Sequence, residues 1–142
     1  MKFAKVVFGL AGVWGVLVFT PLYFLFDYIG RREPPALTHP QFYFGFVGLG
    51  LAWQAAFLVM AWDPRRFRPM MIPAVLEKWG YAATVIVLAL EGRVSTQQLV
   101  TAMPDALWGL LFFIAFVKTR NDRSQAGATR TDTAGTAPGS RF

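Results

Sequence analysis

Read for runs of apolar and polar positions, the chain divides into four long hydrophobic stretches separated by short polar loops. A helix needs about 20 mostly apolar residues to cross about 30 Å of hydrocarbon. No charge interrupts the sequence between Lys5 and Asp27, and the run Phe42–Trp62 is uncharged and broken only by Gln54. The third stretch, Ile72–Leu90, carries Glu77 and Lys78 near its start, and the fourth, 96–117, contains Pro104 and Asp105. The pattern predicts an all-α fold: an integral membrane four-helix bundle with spans over 3–26, 42–62, 72–90 and 96–117.

Helix punctuation supports these boundaries. Pro40 precedes the second span, and Pro73 fits the first turn of the third, where a missing N–H costs nothing. Ser95 followed by Gln98 forms a capping box at the head of the fourth. Pro104 is expected to kink a single fourth span rather than begin it, because the 15 residues from Pro104 to Lys118 are short for a crossing. The first stretch is too long for a secretory leader and offers no small-x-small cleavage site before Tyr23-Phe24-Leu25-Phe26, so it is read as a retained helix.

Charge sets the expected orientation. Lys2, Lys5, Arg65, Arg66, Arg68, Lys118, Arg120, Arg123 and Arg130 fall on one side of the spans, against Arg31, Arg32 and Arg93 on the other. The positive-inside rule then makes both termini cytoplasmic. Residues 1–118 form the transmembrane domain. Residues 119–142, rich in Thr, Ala, Gly, Ser and Arg and without periodicity, are expected to be a disordered cytoplasmic tail.

Composition narrows the chemistry. Only 15% of residues are charged, against about 25% in soluble domains. With no cysteine there are no disulfides, thiolate metal sites or iron–sulfur clusters, and a single histidine excludes a multi-His metal site within one chain. No metal and no cofactor are expected. The net charge of +6 is accounted for by topology, and no basic stripe interleaves with aromatics, so nucleic acid is not an expected partner.

Polar residues inside spans are costly against lipid and therefore informative. Glu77, Tyr81, Thr84 and Leu88 follow helical steps down one face of span three. Thr20, Tyr23 and Asp27 do so in span one, Tyr43, Val47, Gly50 and Gln54 in span two, and Thr101, Asp105, Trp108, Gly109 and Phe112 in span four. Turned inward, these faces would line a partly polar interior with Tyr23, Tyr43, Gln54, Glu77, Tyr81, Thr84, Asp105 and Trp108 as ligand-binding residues. By depth, Gln54 and Glu77 could share a layer. Glu77 and Asp105 would stand more than about 10 Å apart, so no paired-carboxylate catalytic centre is expected. Lys78 is expected to snorkel to the headgroups. The loop Asp63-Pro64-Arg65-Arg66-Phe67-Arg68-Pro69 would anchor the topology, with Arg65, Arg66 and Arg68 at headgroups. Small residues at Gly9, Gly12 and Gly15, at Gly48, Ala52 and Ala56, and at Gly80 with Thr84 mark faces for close helix packing.

The strings His39-Pro40-Gln41-Phe42-Tyr43-Phe44-Gly45-Phe46 and Pro73-Ala74-Val75-Leu76-Glu77-Lys78, with the arginine-rich loop between them, resemble small four-helix bacterial membrane proteins of the DoxX-like kind. The resemblance covers about residues 35–118. It implies a multi-pass protein of the bacterial plasma membrane, from a group that is mostly uncharacterised. No nucleophile–base pair, metal cluster or phosphate loop points to catalysis. The expectation is a non-enzymatic protein that binds a lipid or lipophilic small molecule inside the bundle. The alternative is an accessory subunit docking a membrane-protein partner or a second copy of itself, and an intramembrane lipid-modifying enzyme is less favoured.

Overall fold

The computed structural model describes residues 1–32 and 37–134, with side chains as far as Arg120. The described residues are helical throughout, apart from turns: α1 (Lys2–Leu22), α2 (Phe26–Arg32), α3 (Pro40–Trp62), α4 (Met71–Leu90) and α5 (Thr96–Ala134), with a 3₁₀ turn at Arg68–Met70 leading into α4. Four stretches, Lys2–Leu22, Pro40–Trp62, Arg68–Leu90 and Thr96–Arg120, are long and apolar enough to cross a membrane.

The ends of these helices follow from local chemistry. Pro21 sits in the last turn of α1, where it lacks the N–H that would continue the ladder. The next amides fall back to tighter bonds, from Phe24 N to Pro21 O at 2.9 Å and from Leu25 N to Leu22 O at 3.2 Å. Span one therefore stops at Leu22, short of the expected Phe26, and Phe26–Arg32 forms a separate helix. That short helix has Asp27 in its first turn and Arg31 and Arg32 in its last, which suits its dipole.

The α4–α5 connection is specified at both ends. Arg93 N bonds Leu88 O at 2.8 Å and Gly92 N bonds Ala89 O at 3.0 Å, with Gly92 at φ 70°, a Schellman stop that needs glycine. The Ser95 amide then donates to Gln98 Oε1 at 2.8 Å while the Gln98 amide donates to Ser95 Oγ at 3.2 Å. This is the capping box read from the sequence. Pro104 lies inside α5, so span four is one helix.

The last helix runs on beyond the fourth span. The backbone of α5 stays helical to Ala134, well past Thr119, which is itself buried with its hydroxyl donating to Ala115 O at 2.6 Å. Extending an existing helix adds one hydrogen bond per residue without a new nucleus, so weak periodicity does not stop it. Tail positions 135–142 lie outside the described residues.

Two antiparallel hairpins result, α1 along α3 and α4 along α5. They meet mainly through α1 and α5, while α3 and α4 barely touch. Their shared core lies toward the 63–70 loop. Phe8, Phe57 and Phe112 are wholly buried there, with Phe8 and Phe112 stacked at 4.4 Å and Phe57 edge-on to Phe112 at 4.9 Å. Within each hairpin, glycine receives bulk. A Cβ on Gly15 would overlap the Gln54 side chain, one on Gly50 the Phe19 ring, and one on Gly109 the Trp79 indole. Lipid tails are as apolar as a leucine, so such close fit is a main source of helix association in a bilayer.

Gly15→Ala is therefore expected to destabilise the fold by about 1–3 kcal/mol, as overpacking does. Gly45→Ala, whose Cβ would meet no atom within 4 Å, should leave stability unchanged. Thermal unfolding in detergent compares the two, and equal shifts would remove Gly15 from the packing account.

Candidate functional site

α4 buries a stripe of Met71, Ala74, Val75, Lys78, Ala82 and Val85. Lys78 sits in the middle of it, 5% exposed. Its ammonium lies 3.0 Å from Asp105 Oδ1 on α5, 3.3 Å from each Glu77 oxygen, and 5.5 Å over the Phe57 ring of α3. An ion triad, Glu77–Lys78–Asp105, thus stands inside the membrane-spanning part of the bundle.

Two expectations fail here. Lys78 does not snorkel, because its place on the apolar stripe aims it at α5, where Asp105 offers a partner. Glu77 and Asp105 are joined rather than separated, because Lys78 spans the interval between them. The 3₁₀ turn also lengthens the helix at its N-terminal end, so Glu77 lies about 14 Å from Arg68, deeper than a start at Ile72 implies.

The triad carries two carboxylates for one ammonium. Glu77 Oε2 is buried and receives no hydrogen bond among the described residues; its 3.3 Å approach to Lys78 is ionic contact alone. Both acid side chains keep partial access to the outside, 23% for Glu77 and 28% for Asp105.

The face of α4 that carries Glu77 continues outward through Tyr81 and Thr84, and this seam is on the exterior. Both residues are exposed, with the Thr84 hydroxyl donating to Gly80 O at 2.8 Å. Beyond them a cleft of about 380 Å³ is lined by Ala83, Thr84, Val87, Leu88, Glu91 and Arg93, with Glu91 and Arg93 ion-paired at 3.4 Å. An interior lined by eight polar residues does not form.

The remaining predicted residues have local work. Gln54 is buried, but it packs on Gly15 and donates to Gly50 O at 3.0 Å in its own helix, so it does not join Glu77. The Tyr43 hydroxyl donates to Leu22 O at 2.8 Å, satisfying a carbonyl at the end of α1. Tyr23 stacks on Phe44 at 5.9 Å in the same aromatic cluster. Trp108 is half-buried beside Phe112, at 6.2 Å. In the loop, Arg68 donates to Phe116 O at 3.4 Å and stacks 3.9 Å over that ring, while Arg65 approaches Met1 Sδ at 3.2 Å. Arg66 lines a second cleft, of about 370 Å³, with Lys5 and Trp62.

Lys78 is the residue that sequence reasoning missed. Its signal was its spacing from Met71, Ala74, Val75, Ala82 and Val85, which places it on the apolar stripe. Among the described residues no group of His, Cys, Asp and Glu is placed to hold a metal ion. No family model, no curated protein and no solved structure matches the chain.

Removing the ammonium should expose the energetics of the triad. Lys78→Met strands two carboxylates beside each other and is expected to cost about 3–5 kcal/mol. The triple variant E77Q/K78M/D105N, which removes all three charges, should recover most of that loss in thermal unfolding. No recovery would mean that Lys78 acts through its packing and not through its charge.

Proposed function

We propose that this protein is a non-enzymatic, multi-pass membrane protein that holds a lipophilic molecule against the polar seam of α4, with the ion triad as its anchor. The observation carrying this reading is the open side of the triad. Glu77 and Asp105 keep partial access to the outside, and the exposed Tyr81 and Thr84 continue the polar surface into a cleft. A ligand site of this kind needs an apolar wall and a few orienting polar groups. Helices in hydrocarbon supply the wall, and two carboxylates facing one lysine leave acceptor capacity for a donor on the ligand.

This seat is lateral, at the surface of the α4–α5 hairpin, and differs from a cavity enclosed by four helices. A second reading, an accessory subunit, draws on the same surface. Gly80 has no atom within 4 Å of its Cβ position and lies beside Thr84, so a partner helix could approach α4 closely. The likeness of the loop and span-entry strings to DoxX-like proteins favours a bacterial plasma membrane. The bias of basic residues favours cytoplasmic termini.

Native mass spectrometry from nanodiscs tests the ligand. The wild type should carry one defined extra mass, and Glu77→Gln and Asp105→Asn should each reduce its retention by about tenfold, the worth of a charge-assisted hydrogen bond. Undiminished retention in both variants would remove the triad as the anchor, and a ligand-free chain bound to a partner protein would favour the accessory-subunit reading.

Orientation has its own test, helped by the absence of native cysteine. In intact cells an impermeant maleimide should label Arg93→Cys, and should label Arg65→Cys only after permeabilisation. The reverse pattern would invert the topology.

A further inference from the structure

The end of the bundle where α1 begins and the 63–70 loop turns carries Lys2, Lys5, Arg65, Arg66, Arg68, Lys118 and Arg120, opposed among the described side chains by Asp63 alone. These cations are not equivalent. Arg68 is spent on the carbonyl and ring of Phe116, Arg65 rests on Met1 Sδ, and Lys118 lies 4.5 Å over the Phe3 ring. Lys5 and Arg66 have no carboxylate partner among the described residues, the Arg66 guanidinium lying 5.6 Å over the Phe67 ring, and both line the cleft of about 370 Å³ completed by Met1, Trp62, Asp63 and Phe67.

The carboxylate in that cleft is already engaged. Asp63 Oδ1 accepts the amides of Arg65 and Arg66, each at 3.2 Å, which closes the turn after α3. These two bonds fix the backbone of Arg66, which shares the cleft with Lys5 from the start of α1. Trp62, the last residue of α3 and 78% exposed, and Phe67 supply aromatic walls. Aromatic rings favour the depth where headgroups meet acyl chains. A guanidinium fork and an ammonium suit phosphate oxygens.

We propose that this cleft seats the phosphodiester headgroup of an anionic phospholipid from the adjacent leaflet, held by Lys5 and Arg66 and flanked by Trp62 and Phe67. The site differs from the expected headgroup contact of Arg65, Arg66 and Arg68. Two of those arginines are committed within the protein, and Lys5 joins the site from the start of α1. The apolar walls and the position at the ends of two spans favour a lipid over a soluble phosphate ester.

The test uses the full chain in phosphatidylcholine nanodiscs doped with phosphatidylglycerol, with retained lipid read by native mass spectrometry. Phosphatidylglycerol should be enriched on the wild type. Enrichment should fall about fivefold in K5A or R66A and on the order of 25-fold in K5A/R66A. R31A/R32A, which removes two cations at the opposite end, should leave it unchanged. Lys5 and Arg66 are exposed, so neither variant disturbs the core. Equal losses in K5A/R66A and R31A/R32A would overturn the site as a matter of net charge alone. Free glycerol 3-phosphate displacing the lipid at comparable concentration would overturn the lipid assignment in favour of a soluble phosphate ester.

Discussion

The burial of one lysine among apolar helices constrains much of this structure. An ammonium facing lipid at the depth of Lys78 would cost several kcal/mol, so it must meet an opposite charge. Asp105 is the carboxylate that α5 provides, and the contact at 3.0 Å fixes the rotation of α4 against α5. The remainder of the α4 surface is then determined by helix geometry. At 100° per residue, Met71, Ala74, Val75, Ala82 and Val85 cluster about the direction of Lys78, whereas Glu77, Tyr81, Thr84 and Leu88 lie about a quarter turn away. The seam must therefore run along the flank of the hairpin, where two of its members are exposed.

The same geometry explains which parts of the fold were legible in the sequence. Four spans, the capping box at Ser95 and the inward stripe of α3 through Val47, Gly50 and Gln54 all follow from apolar runs, caps and small residues. On α5, Gly109 and Phe112 are buried on the stripe that the helical spacing of Thr101, Asp105 and Trp108 marks as inward. In both helices the polar residue shares its face with glycine or a large aromatic, so polarity and packing point the same way. On α4 they point apart. Treating the polar face as the inner one rotated that helix by about 90° and sent Lys78 to the headgroups. The triad needs a contact between residues 27 positions apart, which no local spacing encodes.

Close packing within hairpins and loose packing between them divide the labour differently from a symmetric bundle. Gly15, Gly50 and Gly109 each accept a large side chain from the paired helix, so each hairpin is tightly fitted on its own. The two are then joined through Phe8, Phe57 and Phe112 toward the 63–70 loop. The Lys78 ammonium over the Phe57 ring is a contact between α3 and α4. Charge and aromatic core thus meet at one level, where the second hairpin is held to the first.

An open polar seam beside that level makes sense only in relation to what surrounds it. In water, exposed tyrosine and threonine need no partner. In hydrocarbon, Thr84 satisfies its hydroxyl by bonding back to Gly80, which is the cheapest solution available on a helix. Glu77 has no such local remedy, since its Oε2 receives no hydrogen bond among the described residues and its only donor neighbour, Lys78, is shared with Asp105. A buried acceptor left without a donor costs about 1–3 kcal/mol, and more when charged. A bundle built for stability alone would replace Glu77 with an apolar residue and let Lys78 and Asp105 neutralise each other. The second carboxylate thus carries that cost at its buried Oε2, while the rest of the Glu77 side chain stays partly open where the seam reaches the triad.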